Sequence, residues 1–197
     1  MRNDPVLRAQ AHDRSMRALL QAELAPGERT LWSGAPDARR MKADFVIWAF
    51  AIPWTVFSCV WTGLAASSWL VRMPRTEMEW GFGIAFPLFG FPFILVGVWM
   101  LNQPFANRAK ARRTIYGLTD RRLIRVIDGK QRKVESVRID RMGPIDFTVA
   151  RDGWGTLSIQ TGSHVDSDGD RVTDRFVAAA IPEAEKLHRM IVAQQGA

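Results

Sequence analysis

The chain has 197 residues, with 27 Lys and Arg against 20 Asp and Glu and a formal net charge of +7. Its single cysteine, Cys59, excludes an internal disulfide framework. Three histidines and one isolated thiol offer no zinc-ligand spacing. The charge is segregated: residues 45–71 and 81–106 contain no Asp, Glu, Lys, Arg or His.

Residues 1–43 read as a polar cytoplasmic segment. Because the first apolar run begins only at position 45, no secretory signal peptide is expected. Met16, Leu19, Leu20 and Leu24 give residues 13–24 the apolar stripe of a modest amphipathic helix, ended by Pro26 and Gly27. The first dozen residues are expected to be loose. Residues 29–33 form a possible strand anchored by Trp32. It would join the later sheet if both lie on one side of a membrane.

Residues 44–106 read as a transmembrane hairpin, with spans 45–71 and 81–106 and an external loop 72–80. A helix rises about 1.5 Å per residue and the hydrocarbon core is about 30 Å thick, so each run crosses with residues to spare. Trp48, Trp69, Trp80 and Trp99 fall at the interfacial belts, while Trp54 and Trp61 lie deeper. Arg39, Arg40 and Lys42 precede the first span, and Arg108, Lys110, Arg112 and Arg113 follow the second. In the loop, Arg72 and Arg75 are balanced by Glu77 and Glu79. Both ends are therefore expected in the cytoplasm. Pro53, Pro87 and Pro92 are expected to kink the helices.

Small residues recur along both spans: Ala51, Thr55, Ser58, Thr62 and Ala65 in the first, and Gly83, Gly90 and Gly97 in the second. In lipid, such stripes let helix backbones approach closely. They are expected to face each other or a second copy. Neither span carries an ionisable residue, which argues against an ion pathway.

Residues 107–197 change texture to short alternating runs separated by turn residues. Strands are expected at 114–118, 123–127, 134–139, 147–150, 156–161 and 176–181. The pairs Asp128 and Gly129, Asp152 and Gly153, and Asp168 and Gly169 are hairpin signals. Pro182 is expected to open a C-terminal helix over 182–194, with Leu187, Met190 and Ile191 as its apolar stripe. The pattern is an antiparallel meander closed by one helix.

From Arg108 to Arg138 eleven Lys and Arg face only three acids. Lipid or partner binding is expected at Arg108, Lys110, Arg112, Arg113, Lys130, Arg132 and Lys133, since cations near an anionic leaflet attract it. Nucleic acid is not expected, because no stacking aromatics are interleaved with these cations. Asp166, Asp168 and Asp170 alternate as calcium ligands do, but Arg171 stands where the loop needs Gly, and a polar turn is the reading. No nucleophile and base pair, phosphate loop, metal site or cofactor motif is found, so no enzyme is expected.

Two motifs carry a resemblance. Pro26, Gly27, Glu28, Trp32, Gly34 and Pro36 precede the hairpin, and Tyr116, Leu118, Thr119 and Arg122 follow it. Together they resemble the bacterial pleckstrin-homology-like (PH-like) membrane proteins, in which a PGE…W.G.P segment precedes a membrane hairpin and a Y.LT..R hairpin opens the domain. The resemblance covers about residues 24–193. It implies a membrane α+β fold, with a two-helix hairpin followed by a small bent antiparallel sheet closed by a C-terminal helix. It also implies a place at the bacterial inner membrane, and it transfers no catalytic residues. Thr119 and Asp120 would form the turn, with structural roles for Arg121 and Arg122. The expected function is a membrane-anchored interaction module binding a protein partner or anionic lipid. The alternative is an assembly subunit that works through its hairpin, with itself or a membrane protein partner.

Overall fold

Strands β1 (Thr30–Gly34) and β2 (Thr114–Thr119) are antiparallel neighbours, although the whole apolar region lies between them in sequence. The computed structural model describes residues 5–41, 43–71 and 76–196. Lys42, Arg72 and Arg75 lie outside the described residues, and at Gly83 and Trp69 the description is of the helical backbone. The chain divides into two compact units, one made of residues 1–41 and 108–197 and the other of residues 42–107. The segment read from sequence as a separate 1–43 region thus shares a unit with the C-terminal part.

In the first unit, β2 is followed by β3 (Arg122–Ile127) and β4 (Lys133–Arg138), giving a four-stranded sheet of order β1-β2-β3-β4. Strands β5 (Ile145–Val149), β6 (Gly155–Val165) and β7 (Arg171–Ile181) form a second antiparallel sheet. The expected single meander is therefore two sheets. The chain leaves the first through a 3-10 turn at Ile139–Arg141, where the buried side chain of Ile139 joins the core. Tyr116, Leu118, Leu123, Leu157, Ile159 and Ile181 are among the residues packed between the sheets and α4 (Ala184–Gln195). Leu187 and Ile191 are the buried stripe of α4.

The outer face of the first sheet is covered too. Helix α1 (Pro5–Ala22) lays Met16 and Leu20 over Ile115, Ile124 and Val126. Gly117 makes this approach possible, since a Cβ there would stand 2.7 Å from a Leu20 methyl. The helix begins eight residues before the expected start at position 13. Pro5 suits a first helical turn, and Ala9 and Ala11 favour continuation.

The turns differ in kind. Gly153 and Gly169 adopt positive φ, +81° and +88°, within the five-residue connections 150–154 and 166–170. Gly129 does not, although residues 128–132 between β3 and β4 make a connection of the same five-residue length. Helix α4 starts at Ala184 rather than Pro182, because Ile181 still pairs with Gly155 in the β-ladder. Glu183 then turns the chain through a left-handed residue at φ 52°.

The second unit holds two helices long and apolar enough to cross a membrane. Helix α2 (Trp48–Val71) follows a 3-10 turn, Ala43–Ile47, and α3 is Glu77–Ala111. Both run unbroken through their prolines, Pro53 in α2 and Pro87, Pro92 and Pro104 in α3. Many of their large apolar side chains, among them Phe57, Leu64, Leu88 and Phe89, are about two-thirds exposed, unlike those of core helices.

The open ends of the hairpin meet. Trp48 Nε1 donates to the Leu101 carbonyl at 3.2 Å, and the Phe45 and Phe105 rings stand edge to face at 5.9 Å. Farther along, Trp54 Nε1 donates to the Phe93 carbonyl at 3.1 Å. Of the small residues singled out in sequence, Ala51 and Ser58 are buried. Gly90 lies against Thr62 and Gly97 against Thr55, so close that a Cβ on either glycine would clash. Thr55, Ser58 and Thr62 return their hydroxyls to carbonyls four residues back, at 2.6–2.8 Å, which leaves no donor stranded in an apolar setting.

Candidate functional site

The two sequence motifs are joined by one buried network. The Glu28 side chain is 1% exposed. Its Oε1 accepts from Arg122 Nε at 2.9 Å and from the Thr119 hydroxyl at 2.7 Å. Its Oε2 accepts from Arg122 Nη2 at 2.9 Å and from the Ala25 amide at 2.8 Å. Thr119 Oγ1 also accepts from the Arg122 amide at 3.0 Å, closing the β2–β3 turn. Asp120 Oδ1 receives the Arg29 amide at 3.1 Å. The Arg122 fork holds the Glu28 carboxyl down at about 2, against an ordinary 4.5, in spite of the opposing effect of burial. Arg122 therefore positions the strand before the hairpin on the strand after it. Glu28 was legible as part of a motif, but its partner lies 94 residues away.

An open cleft of about 1090 Å³ adjoins this network, lined by Arg121, Arg122, Ser136, Arg138, Asp140 and Gln194 among others. Its charges are largely answered within the fold: Arg138 pairs with Asp140 at 2.9 Å and Arg122 with Glu28.

The basic segment is not one surface. Arg125 turns inward, paired with Glu135, and its guanidinium lies 5.0 Å from the Phe176 ring centroid. It also donates to the Val177 carbonyl at 3.2 Å. Arg132, expected to bind a ligand, pairs with Glu23 of the α1–β1 connection at 2.8 Å. Lys133, also expected to bind, pairs with Glu135 at 2.7 Å. Both charges are answered within the fold.

The remaining predicted cations gather at one end of the first sheet. Arg108 and Lys110 lie in the last turn of α3, with Arg108 half-buried and Lys110 exposed. Arg112 and Arg113 are exposed in the short link to β2. The Asp128 amide donates to the Arg113 carbonyl at 2.7 Å, which fastens the β3–β4 loop and its exposed Lys130 beside that link. His12 Nε2 of α1 donates to the Arg112 carbonyl at 2.8 Å. Among the described residues, no carboxylate lies within ion-pair reach of Lys110, Arg112, Arg113 or Lys130.

Arg40, counted from sequence among the flanking cations, has a different task. It bonds Asp152 at 2.5 Å and lies 4.7 Å from the Trp154 ring centroid, while the Asp37 amide donates to the Ala180 carbonyl at 2.9 Å. The lead-in to the hairpin is thereby docked on the second sheet.

The hairpin unit has a groove of about 300 Å³, almost entirely apolar, lined by Trp54, Phe57, Trp61, Phe86, Phe89 and Phe93 around Ser58 and Gly90. Among the described residues no group of three or more His, Cys, Asp or Glu side chains is placed to hold a metal ion. Asp166 Oδ1 accepts the amides of Asp168 and Asp170 at 3.0 and 2.9 Å, a turn made from its own side chain. Compared with protein-family models, curated proteins and solved structures, the chain matches none.

Proposed function

We propose that the chain is a non-enzymatic interaction module anchored in the bacterial inner membrane. Its two-span hairpin would be inserted between the first two strands of a PH-like domain, which it holds at the cytoplasmic face. One observation carries this reading. The strand before the apolar helices pairs with the strand after them, from Thr30 opposite Thr119 to Gly34 opposite Tyr116. If each helix crosses a bilayer, that pairing requires both flanks to lie on the same side. The exposed apolar side chains of α2 and α3 support the crossing, since in water such surface would drive association. The flanking cations support the cytoplasmic side. The seven strands in two sheets and the terminal helix support the PH-like reading.

The alternative, assembly through the hairpin, draws less support. Gly90 and Gly97 already face Thr62 and Thr55 of the same chain, so this stripe is occupied within the monomer.

Protease protection of doubly tagged chain in sealed inner-membrane vesicles tests the proposal. In inside-out vesicles both tags are expected to be cleaved and residues 45–106 protected. Cleavage of one tag only would overturn the reading.

A further inference from the structure

The geometry points to a phosphate-binding surface made of Lys110, Arg112, Arg113 and Lys130, whose ligand is the anionic phospholipid of the leaflet into which α3 runs. The inference rests on the membrane reading above and narrows its ligand from lipid or protein to lipid headgroups.

Four observations converge. First, the set is defined by charge pairing and not by sequence position. Lys133 and Arg132, three and two residues from Lys130, are held by Glu135 and Glu23, whereas the four named cations have no carboxylate partner among the described residues. Second, the fold brings the four together. The bond from the Asp128 amide to the Arg113 carbonyl and the pairing of Thr114 with Ile127 set the β3–β4 loop against the α3–β2 link. Third, α3 is continuous from Glu77 to Ala111, so Lys110 to Arg113 follow the apolar helix without an intervening linker. A cation so placed meets leaflet phosphates at the density of the membrane surface, and each contributes about a fivefold preference for an anionic over a neutral leaflet. Fourth, the chemistry suits phosphate rather than bases. The sole tyrosine, Tyr116, is buried in the core, and among the described residues no aromatic ring stacks on these cations. Asp128 is the one acid in residues 108–114 and 127–133, so the patch keeps a strong positive balance.

The chain carries its own reporters. Its five lysines are Lys42, Lys110, Lys130, Lys133 and Lys186. The test is amine acylation of the full-length chain in nanodiscs, read residue by residue by mass spectrometry, in phosphatidylcholine alone and with one quarter phosphatidylglycerol. In the anionic discs Lys110 and Lys130 are expected to react about fivefold more slowly, while Lys133 and Lys186 keep their rates. The protection is expected to fade as salt rises, because exposed charges are screened. Arg112→Gln with Arg113→Gln is expected to reduce it without altering the Lys186 rate. Inorganic phosphate added to neutral discs separates the sources: protection there equal to that in anionic discs would overturn the leaflet as ligand. Equal Lys110 and Lys130 rates in both discs would overturn the inference while leaving the membrane reading standing. A chain that enters neither disc would instead overturn the membrane reading.

Discussion

Arg122→Met is expected to lower folding stability by about 3–5 kcal/mol, the usual cost of breaking a buried ion pair by removing one partner. Among the described residues, the variant leaves the Glu28 carboxylate, 1% exposed, with the Thr119 hydroxyl and the Ala25 amide as its remaining donors. The loss should appear as a lower unfolding midpoint of full-length chain in detergent. The first elements to loosen should be β1 and the β2–β3 turn, which the network joins. A midpoint within error of the parent would mean that the network does not hold the sheet together.

The same pair predicts an acid response with a defined sign. The Glu28 carboxyl sits at about 2 in the fold and at an ordinary 4.5 when unfolded. A carboxyl depressed by folding contributes its full stabilisation above the unfolded value and loses it as pH falls through the folded one. About 3 kcal/mol should therefore disappear between pH 4.5 and pH 2. Glu28→Gln removes this titration. Its difference from the parent should be large at pH 7 and shrink towards pH 2; a difference constant across that range would contradict the account.

The second large effect concerns the hairpin. Gly90→Leu and Gly97→Leu are each expected to destabilise the helix pair by about 1–3 kcal/mol, the cost of overpacking a close contact. At both positions the added carbon meets a threonine side chain of α2, Thr62 and Thr55, and at Gly97 the Thr55 backbone as well, 3.3 Å from the new Cβ. Those threonines are fixed by their bonds to Ser58 and Ala51. Gly63→Leu and Gly81→Leu serve as controls, since a Cβ at either meets nothing. Steric trapping of the hairpin in bicelles separates the cases: loss at 90 and 97 with none at 63 and 81 is expected, and equal loss at all four would contradict the packing.

Much of this fold was legible because its signals are local. A charge-free run of more than twenty residues marks a long apolar helix without reference to anything else. Alternating runs ended by Asp and Gly mark strands in the same way. Legibility fails where the deciding contact is remote. The β6–β7 ribbon runs on to Val165 and Arg171, beyond the expected strand ends at 161 and 176, because each strand supplies the other's ladder through polar residues with weak propensity. Asp128 and Gly129 look like a tight turn, but Asp128 bonds Arg113, and the loop takes up Lys130 and Arg132 as well. The basic segment reads as one patch in sequence. Glu23, Glu28 and Glu135 divide it, and nothing near Arg132 or Arg122 in the chain announces Glu23 or Glu28. The partner of β1 is equally hidden, since register across an insertion of this length is set by the folded sheet and not by the turn between strands.

That pairing is the centre of the account, and a disulfide tests it directly. Beside the pairing of Thr30 with Thr119, the Asp120 amide donates to the Arg29 carbonyl at 3.1 Å and the Arg29 amide donates to Asp120 Oδ1 at 3.1 Å. Arg29→Cys with Asp120→Cys would be placed in a Cys59→Ser chain bearing a specific protease site at residues 72–75. After mild oxidation in membranes and cleavage at that site, the account predicts one disulfide-linked species that reduction splits in two. Two separate fragments before reduction would contradict the claim that strands on either side of the hairpin close a single sheet.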